Sequence, residues 1–153
     1  MDALRVKWQP LMALFALTQL DCAANQSAST KQLLESGVWA GESSGGIHVT
    51  MTVTNRDASL EFDCAVGGFE LPESVDDPNN IEVQGRYVGP NGGVPQASGP
   101  MERTVTYRVT WRDSSRSSVD LMILEPNESG SPDSVIGTFS LTFGARPVHV
   151  SCP

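Results

Sequence analysis

The chain has 153 residues and a formal net charge of −8 at pH 7, with 39% hydrophobic and 18% charged residues. This length predicts one domain, and the composition is that of a globular protein rather than a disordered one. Lys7 and Lys31 are the only lysines. The chain therefore lacks the clustered cations that bind the phosphates of nucleic acid or an anionic membrane surface.

The first 24 residues have the pattern of a signal peptide. A basic start precedes the apolar run 11–20, and small residues follow at Cys22-Ala23-Ala24. The run is about half of the roughly 20 residues that a helix needs to cross a bilayer, so we expect export without a stable membrane span. Cys22 leaves an alternative open, a lipoprotein anchored at this cysteine, although Asp21 is not the small residue that such sites place before it.

Removal of residues 1–24 would leave Cys64 and Cys152 as the cysteines of the folded chain. Two cysteines in a periplasmic or secreted protein predict one disulfide bond between them. Closing a loop of about 88 residues contributes roughly 4 to 5 kcal/mol in the chain-entropy account of disulfide stability. The alternative, two free buried thiols, requires that the chain is not exported.

Residues 25–36 read as a polar linker followed by a short helical segment, 31–36, that ends at Gly37. From Trp39 onward, apolar residues recur at every second position, which is typical of strands with one buried face. Cys64 falls on the apolar face of such a stretch, with Leu60 and Phe62. The predicted strands lie within residues 38–42, 49–54, 59–69, 81–87, 104–112, 119–123, 135–143 and 148–152.

About eight strands without a convincing helix, joined mostly by short turns, predict an all-β fold. We expect a single antiparallel up-and-down β-barrel over residues 37–153, because closure hides the strand edges. The alternative is a two-layer β-sandwich, in which the long segments 67–80 and 89–102 would serve as crossings between the sheets.

Gly37-Val38-Trp39, between the short helical segment and the first strand, resembles the Gly-x-Trp entry of the calycin barrels, the lipocalins and avidins. This resemblance implies a barrel in which Trp39 plugs one end. A wider resemblance covers nearly all of residues 37–152. Its motifs (37–41, 61–65, 92–93 and 137–141, with Pro147 and Cys152) resemble a group of small exported bacterial proteins without an assigned function, which implies fold and export but no activity. Periplasmic inhibitors of metalloproteases are also similar in plan.

The sequence does not carry a recognisable catalytic or metal-binding pattern. His48 and His149 lie on polar faces of predicted strands, without the His-x-His or Cys-His spacing of a zinc site. No Gly-x-Ser-x-Gly context marks a nucleophile. We therefore expect a protein that is not an enzyme, with no catalytic residues, metal or cofactor. The enzyme alternative predicts a cleft that holds one of the histidines within hydrogen-bond reach of a carboxylate or serine.

Eight strands enclose enough space for side chains or for one small ligand. We expect at most a narrow pocket near one mouth, bordered by residues 89–102, with Tyr87, Tyr107, Trp111 and Phe139 as candidate lining residues. The sequence thus predicts an exported, non-catalytic binding or interaction module for an unidentified small ligand, lipocalin-like in plan. The alternative is an inhibitor-type module that binds a partner protein.

Overall fold

A computed structural model of the chain describes residues 32–89, 101–127 and 132–148. They belong to one compact unit, Lys31–Pro153. The other unit, Met1–Thr30, lies outside the described residues, and with it lie the predicted signal peptide and Cys22. The eight strands are β1 (Gly37–Ser43), β2 (His48–Val53), β3 (Asp57–Phe62), β4 (Val66–Glu70), β5 (Asn80–Gly89), β6 (Met101–Trp111), β7 (Ser118–Glu125) and β8 (Ser134–Phe143).

The sheet is a closed antiparallel barrel in which each strand pairs with the next one along the chain. Closure comes from β1 and β8, which pair from Trp39 opposite Phe143 to Ser43 opposite Phe139. The predicted up-and-down barrel is therefore confirmed. The sandwich alternative is wrong, because a single sheet hydrogen-bonds back onto its first strand and no second layer is needed to cover its edges.

The alternation that predicted the strands also decides which side chains enter the barrel. On β6, Val105, Tyr107 and Val109 are fully buried, whereas Thr104 and Thr110 between or beside them are exposed. The same two-residue period on the other strands brings apolar side chains to one common centre. The buried core comprises Leu34, Trp39, Val49, Met51, Val53, Ala58, Leu60, Phe69, Ile81, Val105, Tyr107, Val109, Val119, Leu121, Ile123, Phe139 and Leu141.

The two ends of the barrel differ in what they carry. We call the end with the β1–β2, β3–β4, β5–β6 and β7–β8 connections the upper end. The lower end carries the other three connections, the entry into β1 and the exit from β8. A register shift at Ile123/Leu124 marks a bulge where β7 pairs with β8 near the upper end.

The stretch 59–69, predicted as part of one strand, is a hairpin. β3 ends at Phe62, a tight turn holds Asp63 and Cys64, and β4 runs back along β3. The Phe62 backbone N–H donates to the Ala65 carbonyl at 2.8 Å and closes the turn. Cys64 therefore lies in a turn rather than on the apolar face of a strand. The segment predicted as a long loop from residue 67 contains most of β4.

Two further segments differ from the sequence-based expectation. In the described part of the predicted helical segment, residues 32–36 form bends and no helix. The reason is tertiary packing: Leu34 is buried in the core, and the Glu35 carbonyl accepts the indole N–H of Trp39 at 3.0 Å. The predicted last strand, 148–152, is not one of the eight, because β8 closes the barrel, Val148 has no regular structure and residues 149–153 lie outside the described residues.

Candidate functional site

Three aromatic rings meet inside the barrel near its upper end. Phe62 on β3 lies 5.1 Å from Phe139 on β8 and 5.7 Å from Tyr87 on β5, measured between ring centroids. We call these three residues the upper aromatic cluster. Edge-to-face and tilted contacts at these distances are the favourable geometries for aromatic pairs. Tyr87 and Phe62 keep some solvent exposure, so the cluster is reachable from the upper end.

Glycines explain why two of these rings point towards the upper end. A Cβ atom placed on Gly89 would lie 2.6 Å from the Tyr87 ring, and one placed on Gly137 would lie 2.8 Å from the Phe139 ring. Each ring therefore occupies the space that a side chain would fill two positions closer to the upper end of its own strand. In both cases an aromatic ring covers a glycine of its own strand, a form of the aromatic rescue of glycine known in β-sheets.

An ion pair stands beside the cluster. The Nη1 atom of Arg103 lies 3.3 Å from both carboxylate oxygens of Glu125. The two side chains are 20% and 38% exposed, so solvent screens the pair only in part. Arg103 is the cross-strand partner of Tyr87. Burial raises the pKa of Tyr87 and the nearby guanidinium opposes that rise, so Tyr87 is a protonated hydroxyl at neutral pH.

Exposed apolar side chains surround the same end of the barrel. Ile47, Val66, Met101 and Val135 are between 48% and 58% exposed, and they come from the β1–β2 turn and the upper ends of β4, β6 and β8. We call these four residues the apolar rim. Single exposed apolar residues are ordinary, but a group at one end of a small domain is typical of an interaction surface.

Beneath the upper aromatic cluster the barrel is solid. Met51, Ile81, Val105, Leu121 and Leu141 have no accessible surface. A side chain without accessible surface borders neither solvent nor a void that a water molecule could enter, and this is the close packing usual in protein interiors. The middle of the barrel therefore does not offer space for a ligand around these residues.

The four predicted pocket residues are spread over the length of the barrel. Tyr87 and Phe139 meet at the upper end through Phe62. Tyr107 is fully buried in the middle, where its ring lies 5.0 Å from that of Phe69 and its hydroxyl donates to the Arg86 carbonyl at 2.8 Å. Trp111 lies at the lower end. The structure thus brings two of the four together, and their role in ligand binding stays a prediction.

Trp39 lies in the lower half of the barrel, where it is fully buried. Its ring lies 5.1 Å from Phe143 and 5.7 Å from Trp111. The guanidinium of Arg116 sits 5.2 Å from the centroid of the Trp111 ring, a cation–π distance. This is the environment in which a plug would lie, and that role of Trp39 stays a prediction.

Phe62, Arg103 and Glu125 belong to the candidate site but were not among the predicted site residues. Arg103 falls between the segment predicted as a loop, 89–102, and the alternating run on which β6 was predicted. Extending the alternation backwards from Val105 places residue 103 on the inner face, and that signal was available in the sequence. For Glu125 the corresponding signal is extension of the run from Ile123.

His48 was the residue on which the enzyme alternative depended. Its Nδ1 atom lies 3.3 Å from Asp63 Oδ2, and its Nε2 atom lies 3.8 Å from Glu42 Oε2. The Asp63 carboxylate also accepts the backbone N–H of His48 at 3.0 Å. The histidine is thus within reach of a carboxylate, but it lies on the outer face of β2 instead of in the barrel. In the described part of the chain, no hydroxyl hydrogen-bonds to His48.

The remaining charged side chains of β5 and β6 form exposed ion pairs on the outer face. Arg108 pairs with Glu82, and Arg86 pairs with Glu102. Within residues 32–89, 101–127 and 132–148 no group of three or more histidine, cysteine or acidic residues could hold a metal ion. In the same residues no helix is long and apolar enough to cross a membrane. His149 and Cys152 lie outside the described residues.

The fold agrees with the plan that the calycin resemblance implied, an eight-stranded antiparallel up-and-down barrel. Comparisons of the chain with protein-family models, with curated proteins and with solved structures gave no match. The agreement with the calycin plan therefore concerns architecture alone.

Proposed function

We propose that this barrel is an exported, non-catalytic binding module that contacts a partner protein through its upper end. The observation that carries the proposal is the coincidence, at one end of the barrel, of the apolar rim, the upper aromatic cluster and the Arg103–Glu125 ion pair. Aromatic and arginine side chains surrounded by apolar contact area are the residues that dominate binding energy at protein interfaces.

The packing of the barrel favours a partner that covers the upper end over a ligand enclosed in the barrel. Small-molecule sites are usually cavities of about 300 to 1,000 Å³ that enclose most of the ligand. Met51, Val105 and Leu141 have no accessible surface, so such a cavity has no room in the middle of the barrel. The inhibitor-type alternative drawn from the sequence thus has more support than the lipocalin-like one.

Export and the absence of catalysis are parts of the proposal supported by the sequence. The pattern of residues 1–24 supports a periplasmic or secreted location, with a lipid anchor at Cys22 as the alternative. The position of His48 on an outer strand face supports the non-catalytic interpretation. Membership of a calycin-like group of exported bacterial proteins is likewise proposed on the Gly37-Val38-Trp39 motif and the barrel plan.

The test is capture of a partner from a native cell-envelope extract with tagged protein. Val66→Lys places a charge on the apolar rim, and Val38→Lys is the matched control, because this valine is also exposed but lies at the start of β1, at the lower end. We expect a partner that the wild type and the control retain and the rim variant loses. Equal retention by both variants would contradict binding at the upper end.

A small ligand at the upper end is the second candidate, favoured by the hydroxyl of Tyr87 beside the Arg103–Glu125 pair. An aromatic anion would compete with Glu125 for the guanidinium while its rings pack on Phe62 and Tyr87. The probe is 8-anilinonaphthalene-1-sulfonate, titrated by fluorescence. Arg103→Gln should weaken binding and Glu125→Gln should strengthen it, whereas Arg108→Gln on the outer face should change nothing. Identical dissociation constants for all four proteins would exclude this candidate.

A further inference from the structure

Exposed carboxylates stand beside two residues of the apolar rim. Glu61 on β3 is the direct cross-strand partner of Val66 on β4. Glu42 on β1 is the cross-strand partner of His48, the residue that follows Ile47 in the chain. Both glutamates are exposed, and the Glu42 side chain keeps 66% of its surface accessible. Half of the apolar rim therefore has an acidic neighbour.

The other two residues of the apolar rim have the same kind of neighbour. Glu102 follows Met101 at the start of β6, and Asp133 lies two positions before Val135 at the start of β8. Both acidic residues are exposed. We call the four acidic neighbours the rim carboxylates: Glu42, Glu61, Glu102 and Asp133. Apolar and anionic groups thus alternate around the upper end.

The arginines of the upper end do not neutralise the rim carboxylates. Arg103 is already paired with a glutamate of β7. Arg86 lies 3.8 Å from Glu102, but both side chains are exposed, so solvent screens this pair. In the part of the chain that the structure describes, Glu61 and Asp133 form no ion pair. The apolar rim is therefore surrounded by negative charge that the barrel itself leaves unbalanced.

Basic residues are divided unequally between the connections of the two ends. None of the four connections of the upper end contains a lysine, an arginine or a histidine. At the lower end, arginines stand among the acidic residues. The arginines of the lower connections and of the exit from β8 are Arg56, Arg112, Arg116 and Arg146. The negative charge around the apolar rim is thus a local feature and not only a consequence of the acidic composition.

We propose that the partner of the upper end is a cationic, partly apolar segment of a protein. Its apolar side chains lie on the apolar rim, and its lysine or arginine side chains face the rim carboxylates. The inference rests on the proposed function and adds the chemistry of the partner to it. Complementary charge across an interface speeds the encounter and selects among partners. A surface on which apolar and anionic groups alternate is matched by a segment in which apolar and cationic groups alternate.

The same charges oppose the other macromolecules that an exposed apolar surface could bind. A second copy docked upper end to upper end would bring two sets of rim carboxylates together, and like charges across an interface lower affinity. An anionic membrane surface or a nucleic acid would meet the same repulsion. A neutral apolar segment would remove water from the carboxylates without supplying a counter-charge.

Selection from a displayed library of random peptides tests the chemistry of the partner. Val66→Ser with Met101→Ser removes two apolar side chains of the rim without changing the charge, so peptides that bind the wild type and lose this variant depend on the rim. We expect these peptides to be enriched in lysine and arginine relative to the starting library. Rim-dependent peptides without that enrichment would overturn this proposal and leave the proposed function standing. A selection without rim-dependent peptides would count against both.

Binding kinetics of one selected peptide, measured by surface plasmon resonance, test the rim carboxylates. Glu42→Gln with Glu61→Gln neutralises two of them, and Glu70→Gln with Glu73→Gln is the matched control, because these glutamates are also exposed but lie at the lower end. We expect the first variant to bind about three- to tenfold more weakly, mainly through slower association. The control should stay within about twofold of the wild type, because salt screens distant charges. Equal weakening of both variants would overturn the proposal, since only net charge would then matter.

The salt dependence of the same binding reaction separates the charged contribution from the apolar one. An increase in ionic strength from about 0.01 M to about 0.15 M shortens the Debye length from about 30 Å to about 8 Å. We expect the wild type to lose affinity over this range, and the variant with Glu42→Gln and Glu61→Gln to lose less. A wild-type affinity that does not change with salt would overturn the proposal.

Discussion

Replacement of Gly67 by alanine is a sharp test of the packing inside this barrel. A Cβ atom at Gly67 would lie 2.2 Å from the Tyr107 hydroxyl oxygen and 3.0 Å from the Arg86 carbonyl oxygen. Ordinary contact begins near 3.4 Å, so the hydroxyl would have to move by about 1 Å within a close-packed core. We expect Gly67→Ala to lower the free energy of unfolding by about 1 to 3 kcal/mol, the usual cost of overpacking.

Tyr107→Phe should partly rescue that loss. Alone, it removes the hydrogen bond to the Arg86 carbonyl, which is 2.8 Å long, and costs about 1 kcal/mol or somewhat more if the carbonyl stays unsatisfied. In the double variant the nearest remaining ring atom is Cζ, at 3.4 Å from the added Cβ. The clash with the hydroxyl is then absent. We expect the double variant to be more stable than the sum of the single effects by about 1 to 2 kcal/mol.

Urea unfolding followed by circular dichroism measures the four proteins of this cycle under equal conditions. Gly45→Ala is the control, because a Cβ there meets no atom closer than 3.7 Å, and it should change the stability by less than about 0.5 kcal/mol. Strictly additive effects of Gly67→Ala and Tyr107→Phe would refute the reasoning, since the ring would then not occupy the space beside Gly67.

Three further outcomes follow from the structure. The hydroxyls of Ser115 and Ser118 lower the pKa of Asp113 below its usual range. The ionised Asp113 carboxylate therefore contributes to stability fully above pH about 4, and this contribution is lost as the pH falls. Asp113→Asn should reduce the loss of stability at acidic pH, measured by urea unfolding at a series of pH values. Burial raises the pKa of Tyr107 well above its usual range, although a hydrogen bond with the Gly68 backbone opposes the shift. The contribution of the protonated Tyr107 hydroxyl to stability is therefore complete below pH about 10 and is lost as the pH rises above it. Tyr107→Phe should reduce this loss of stability at alkaline pH. Trp39→Ala should cost about 3 to 5 kcal/mol, the range for a fully buried large aromatic residue, measured as a shift of the urea midpoint; a shift below half of that would mean that the lower end repacks without Trp39.

The barrel itself followed from the sequence because its signal is local. Where the two faces of a strand differ in polarity, as in β6, the sequence alternates between apolar and polar residues. This alternation predicts both the strand and the residues that point into the barrel. β4 was not predicted as a separate strand because Gly67 and Gly68 occupy two of its five positions. Glycine has no side chain, so these positions show no alternation of polarity. Gly67 is a glycine because Tyr107, from a strand forty residues later, needs the space. That requirement is tertiary and leaves no local pattern.

The candidate site was predicted only in part, for a related reason. Tyr87 and Phe139 were expected inside the barrel and are there, but Tyr107 lies four residues below the level of Tyr87 on the β5–β6 ladder, about 13 Å along a strand. Alternation gives the face of a residue and not its height, which depends on the register between strands. The register also places Arg103 opposite Tyr87, and a charged residue on an inner face interrupts the apolar pattern by which the strand was predicted.

Site-specific photo-cross-linking in the native cell tests the central claim most directly. A photoreactive amino acid replaces Val66 or Val135 on the apolar rim, and in a separate protein it replaces Val38 at the lower end. The proposed function predicts a discrete adduct of higher mass at the two rim positions and none at position 38. An adduct confined to position 38 would contradict binding through the upper end.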